Sequence, residues 1–133
     1  MRFIDASVFI YHLAGDLRHG LRAREIVRRV ERGEETATST LVVQQVTAYL
    51  RRQKKPRLTA TFLAAVKNLE ALVKAETLYT DFTAAAALQA KTGLSGDLWD
   101  DLVIAAQMER LGVKEIYSAD GDFDLIPGVK RVF

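Results

Sequence analysis

The sequence predicts an α/β domain of three layers, a parallel sheet of four to five strands between two layers of helices. Three observations predict it. Short runs of bulky or β-branched residues alternate with longer stretches whose apolar residues recur every three or four positions. Strands separated by helices along the whole chain need crossover connections, and crossovers give a parallel sheet covered on both faces. At 133 residues, 49% of them hydrophobic, the chain is long enough for one core and short for two. No internal repeat, low-complexity run or linker interrupts it, so residues 1–133 are expected to form a single domain.

The elements follow in order. Phe3 and Ile4 suit a short opening strand that Asp5 ends. From Ser7 onward, Val8, Ile10, Tyr11 and Leu13 mark a helix with Asp5 or Ser7 near its cap. Gly15-Asp16 breaks that pattern. Leu17 to Arg32 reads as an amphipathic helix with Leu21, Ile26, Val27 and Val30 on its apolar side and Gly33 as its stop. Thr36 to Ser39 is a strand candidate, and Ser39 or Thr40 caps the next helix. That helix runs from about Leu41 to Gln53, and the steps Leu41, Val42, Gln45, Val46 and Tyr49 place Gln45 on the apolar side.

Lys54-Lys55-Pro56 ends it. A long helix from about Leu58 to Lys74 is expected next, with Phe62, Leu63, Val66, Leu69, Leu72 and Val73 facing inward. Glu76 to Tyr79 is the third strand candidate, and Thr80 or Asp81 caps an alanine-rich helix that reaches Lys91. After a loop from Thr92 to Gly96, a helix from about Leu98 to Leu111 stops at Gly112. Lys114 to Ser118 is the fourth strand, and Val129 to Phe133 the fifth after the Pro127-Gly128 turn.

Composition removes several functions. Without cysteine there is no disulfide scaffold, no thiolate zinc site and no cysteine nucleophile. The opening strand starts at Met1, which leaves no room for a signal peptide, and no apolar run approaches a membrane span. A cytoplasmic protein with no membrane partner is the expectation. The net charge of +2 says little about partners. Its distribution says more: six arginines lie between Arg18 and Arg32, and Arg51, Arg52, Lys54, Lys55 and Arg57 cluster again. Asp97, Asp100, Asp101, Asp120, Asp122 and Asp124 crowd the last third. Basic helices with an acidic end suit a metal ion and a phosphate, although solvated helix faces carry similar charge.

In open α/β sheets ligands bind at the carboxyl edge of the strands. Four places put polar groups there: Asp5 after the first strand, Gln45 on the helix after the second, Asp101 in the first turn of the helix before the fourth, and Ser118 to Asp122 after the fourth. Singly, each has a structural explanation. Asp5 is a helix cap, Asp101 favours a helix N-terminus, Asp120-Gly121 is a turn pair, and Gln45 is a half-buried amide. Together they bring several carboxylates to one sheet edge, where they repel unless a cation or proton intervenes. Oxygen-only ligation points to Mg²⁺ or Mn²⁺ rather than zinc.

Three segments resemble the PIN-domain nucleases. Met1 to Ile10 is similar to the family's opening motif, with Asp5 as its acid, and Asp101-Leu-Val-Ile-Ala-Ala106 to its third acidic motif. Tyr117 to Phe123, with Ile126 to Val129 after it, is similar to the closing motif and puts Ser118, Asp120 and Asp122 at its polar positions. The order and spacing of these segments extend the resemblance over nearly the whole chain, and the small size points to the VapC-type toxins of toxin–antitoxin pairs. One departure stands out: Ser39 to Val46 resembles the second motif, but Gln45 occupies the place of the usual Glu. Gln keeps the shape and one acceptor oxygen and loses the charge. Three readings follow: a centre that works with its aspartates, a lapsed centre, or an introduced Glu-to-Gln change.

The resemblance implies metal-dependent hydrolysis of RNA phosphodiesters. In that reading Asp5 and Asp101 hold the ion, Asp120 binds it or a second one, and Asp122 and Ser118 orient water or substrate from behind. Arginines and lysines of the second and third helices carry the RNA backbone through sequence-neutral contacts. The implied partners are RNA, a protein antitoxin and a second copy of the chain, with Phe62 and Tyr79 available to a dimer if the core does not claim them. The rival within the same fold is an inactive RNA- or protein-binding module. A phosphotransfer domain commonly has an acid two positions after the first aspartate, where this chain has Ser7, and a dinucleotide-binding domain would need a glycine-rich turn there.

Overall fold

The computed structural model describes all residues from Met1 to Phe133. Its centre is a sheet of five parallel strands, β1 (Arg2–Ile4), β2 (Thr36–Ser39), β3 (Leu72–Ala75), β4 (Glu115–Tyr117) and β5 (Lys130–Val132), in the order β3-β2-β1-β4-β5. Phe3 and Ile4 are fully buried on the middle strand, which is why so short a run of apolar residues suffices there. The helices α1 (Ala6–Ala14), α2 (Gly20–Glu31), α3 (Thr40–Arg52) and α4 (Arg57–Asn68) pack on one another, and α5 (Tyr79–Thr92) packs on α6 (Trp99–Leu111). Right-handed crossovers put the first group on one face of the sheet and the pair on the other. Between them, 29 buried residues form one connected core. No helix is long and apolar enough to cross a membrane.

The strand order positions the site. β1 pairs with β2 on one side and β4 on the other, so the crossovers change face between β1 and β4. Such a switch point opens a crevice at the carboxyl ends of the two strands. Ile4 is in register with Tyr117, so Asp5 and Ser118 leave the sheet side by side, with the Asp5 amide donating to the Tyr117 carbonyl at 3.1 Å. Ser39 caps α3 by accepting from the Val42 amide at 3.5 Å, and Gly112 ends α6 in the left-handed conformation with φ of 72°.

Several expectations need correction. The helix expected to reach Lys74 ends at Asn68, and Leu72 to Ala75 pairs with β2 as the third strand, where Glu76 to Tyr79 had been expected to form it. Leu69 and Leu72 are buried as their spacing implied, but the ladder beside Thr36 outcompetes a helix that Leu69-Glu70-Ala71 could otherwise continue. Leu63 and Val73 face solvent. Leu21 is 83% exposed, because α2 buries Ala23, Ile26, Val27 and Val30 instead. α2 also starts late, at Gly20, since the Asp16 carboxylate accepts from the Arg18 and His19 amides and winds residues 17–19 into a turn. Of the two aromatic residues considered for a dimer, Phe62 is buried edge-on against Phe9 and belongs to the core, whereas Tyr79 is exposed.

Candidate metal centre

Asp5 lies at the bottom of the crevice, 6% exposed. Its carboxylate does not cap α1. Instead it accepts from the Ser118 hydroxyl at 2.7 Å and the Ser7 hydroxyl at 3.0 Å. Each hydroxyl has one proton, and each in turn accepts from a backbone amide: Ser118 from Asp120 at 3.0 Å, Ser7 from Ala119 at 3.1 Å. The amides can only donate, so both hydroxyl protons are directed at Asp5. Burial pushes the Asp5 carboxyl up, against the pull of Ser118 and Ser7 in the other direction.

Above Asp5 stand the acids of α6 and of the turn after β4. Carboxylate oxygens of Asp101, Asp120 and Asp122 all lie within 4.8 Å of one another. Asp101 comes from the first turn of α6, whose N-terminus favours an anion. Asp120 leads into a 3₁₀ turn over Gly121–Leu125 and accepts from the Asp122 amide at 2.9 Å, which folds Asp122 back toward it. Burial, then the negative charges of Asp120 and Asp5, push the Asp101 carboxyl up to about 8. No lysine or arginine forms an ion pair with any of these four aspartates; Arg131, which donates to the Ser118 carbonyl at 3.4 Å, is paired with Asp124 at 2.9 Å.

The fourth sequence candidate lies on the facing helix. Gln45, in α3, donates from Nε2 to Asp100 Oδ2 at 3.1 Å, while its Oε1 is buried with no partner. Gln45, Asp100, Asp101, Asp120 and Asp5 line one groove of about 690 Å³, with Tyr11, Tyr49 and Arg52 farther along its walls. All the expected positions therefore meet at one edge. The arrangement differs from the expectation in depth: Asp122 stands beside Asp101 and Asp120 at the exposed rim, and Asp5 is the floor beneath them.

Ser7 and Asp100 were missed as site residues. Ser7 follows Asp5 by two positions, a spacing that serves a helix start equally well, and Asp100 is one of three acids near the start of α6. Nothing in the sequence singles them out; the hydrogen bonds do.

A divalent cation fits this donor set. Crowded carboxylates that no ion pair neutralises carry unbalanced charge, and hard oxygen donors without His or Cys are the ligands that Mg²⁺ and Mn²⁺ take.

A family model described as PIN domain matches residues 2–129. The sequence matched no curated protein. Among solved structures, the fold is similar to that of VapC20 from Mycobacterium tuberculosis, described as a sarcin-ricin loop cleaving toxin. There the TM-score is 0.78 at 17% identity, over 93% of each chain. It is also similar to a chain of VapBC2 from Rickettsia felis bound to a promoter DNA fragment, with a TM-score of 0.71 at 16% identity over 98% of this chain and 96% of that one. A toxin-antitoxin complex from Klebsiella pneumoniae gives a TM-score of 0.65 at 18% identity, over 100% of this chain and 97% of that one. At these identities the likeness is one of fold.

Proposed function

From its place in the PIN domain family, to which this chain belongs, we propose that the protein is a metal-dependent endoribonuclease and the toxin of a toxin–antitoxin pair. One observation carries the reading: the carboxylates of Asp101, Asp120 and Asp122 crowd within 4.8 Å above buried Asp5, and none of the four is held in an ion pair. The similar toxins and toxin-antitoxin complex support an RNA substrate and a protein antitoxin as partners.

Asp101, Asp120 and Asp5 would hold the ion, Mg²⁺ or Mn²⁺, with Asp122 at the rim. Bound there, a divalent ion supplies positive charge to the phosphodiester and acidifies water. The chain's own residues do the rest. Ser7 and Ser118 hold the Asp5 carboxylate in one orientation, since their protons have no other acceptor so well placed. Burial and the charges of Asp120 and Asp5 favour the protonated form of Asp101 in the metal-free protein, and a bound cation would favour the ionised one. Arg52 stands on the groove wall where a phosphate leaving the acidic cluster would pass, and Tyr49, which also lines the groove, would give a base a ring to stack on. A cytoplasmic homodimer belongs to the same proposal, with exposed Leu78, Tyr79 and Phe82 at the start of α5 as apolar surface for it.

The test is cleavage of single-stranded RNA with added Mn²⁺. Asp101→Asn and Asp5→Asn should each lower the rate by at least about 100-fold, as loss of a ligand exceeds the 10–100-fold of an outer partner, with unchanged circular dichroism. Cleavage at the full rate in either variant removes that residue from the reaction. A second reading, a binding module with a lapsed centre, is favoured by the neutral amide of Gln45; calorimetric titration with Mn²⁺ separates the two, because that module releases no binding heat.

A further inference from the structure

Asp100 is an exposed acid on the first turn of a helix, beside Asp101 and three residues from Asp97. A helix N-terminus alone accounts for such residues. What distinguishes Asp100 is its link across the groove. The Gln45 amide, on a helix of the opposite layer, donates to Asp100 Oδ2 at 3.1 Å, and both side chains line the groove with Asp5, Asp101 and Asp120. Asp97 does not line it.

The chemistry of the pair is directional. An amide oxygen facing Asp100 would repel its carboxylate, so Nε2 must face it, and Oε1 is then left buried without a protein donor. Gln45 thus fixes a negative charge in the groove that Asp5, Asp101 and Asp120 line, without adding one of its own. A glutamate at this position would set two carboxylates about 3 Å apart, where both could not remain ionised. The charge that position 45 lacks is present one hydrogen bond away, on the residue preceding Asp101.

Resting on the cation-binding reading above, we propose that Asp100 supplies a further carboxylate to this centre and that Gln45 is its positioning residue. The negative charge sits on the α6 wall of the groove, and the amide from α3 holds it in place.

Mn²⁺ affinity of the full chain, followed by electron paramagnetic resonance of the free ion, tests this without reference to activity. Asp100→Asn should weaken Mn²⁺ binding about 10-fold or more, and Asp97→Asn should leave it unchanged. The double variant Gln45→Glu with Asp100→Asn carries the same charge across the same hydrogen bond, with the asparagine amide now donating. It should return to within about threefold of the parent protein, a restoration that a merely structural contact would not give. Wild-type affinity in Asp100→Asn overturns the proposal, and so does a double variant as weak as Asp100→Asn alone. Asp101→Asn tells the failures apart. If it abolishes binding while Asp100→Asn does not, only the present inference falls; if the unaltered protein takes up no Mn²⁺, the metal centre falls with it.

Discussion

Asp101 is the side chain on which solution pH acts most directly. Its carboxyl is raised from the ordinary 3.8 to about 8, first by burial and then by Asp120 and Asp5. A carboxyl with a raised value in the folded state binds protons that the unfolded chain has released, so folding weakens as pH rises. In the metal-free protein, the part of stability owed to Asp101 is complete below about 3.8 and is lost as pH climbs to about 8. Thermal melts in a chelator should show Tm falling over that window, and Asp101→Asn should flatten the fall and melt higher at its alkaline end. A flat profile in the unaltered protein would contradict the crowding. Divalent ions should reverse the effect, with release of about one proton per ion near neutral pH, measurable by titration calorimetry in buffers of different ionisation enthalpy. At this scale much was legible in the sequence. Asp5, Asp101 and Asp120 were expected at the sheet edge because each adjoins a strand or a helix start there. Ser7 was not, since its part in holding Asp5 depends on an amide more than a hundred residues away, that of Ala119.

Among the elements, α5 and α6 are locked by a pair that no periodicity announces. Asp81 is 2% exposed and accepts from Arg110 twice, at 2.8 and 2.9 Å, while Arg110 also donates to the Glu76 carbonyl at 3.0 Å. The sequence suggested Asp81 as a helix cap, and it does accept from the Leu78 amide at 2.8 Å; its second partner lies 29 residues on. Removing Arg110 would strand a buried carboxylate, so Arg110→Ala should cost about 3 kcal/mol in urea unfolding. Burial pushes the Asp81 carboxyl up, but Arg110 and the Leu78 amide together hold it below its ordinary value. The stabilisation is therefore present above that ordinary value and lost as pH falls through the folded one, so the penalty of Arg110→Ala should shrink in acid. The third strand shows where local reading stopped. Leu69 and Leu72 fit a helical step equally well, and only the ladder to Thr36–Ser39 decides that Leu72 is in a strand.

For the molecule as a whole, charge is divided between the acidic edge of the sheet and the arginines of α2 and α3. Arg52 alone among them lines the groove. If RNA lies there, its affinity should fall with added salt, and Arg52→Ala should weaken binding several-fold and lower the salt slope by about one. Fluorescence anisotropy with a short single-stranded RNA at several salt concentrations measures both. An unchanged slope would take Arg52 out of the path of the strand. The alternation of strands and helices made the layered sheet legible, but the strand order was not, because sequence periodicity carries no information on which parallel strand lies beside which. That order is what turns scattered aspartates into neighbours.

It also has a temporal meaning. The floor of the crevice depends on a hydrogen bond from Ser118 to Asp5, partners 113 positions apart, and the middle strand has its second neighbour only when β4 slots in beside it. A ribosome makes the aspartate well before its companions. Until β4 and Ser118 have emerged, the growing polypeptide therefore carries an incomplete pocket.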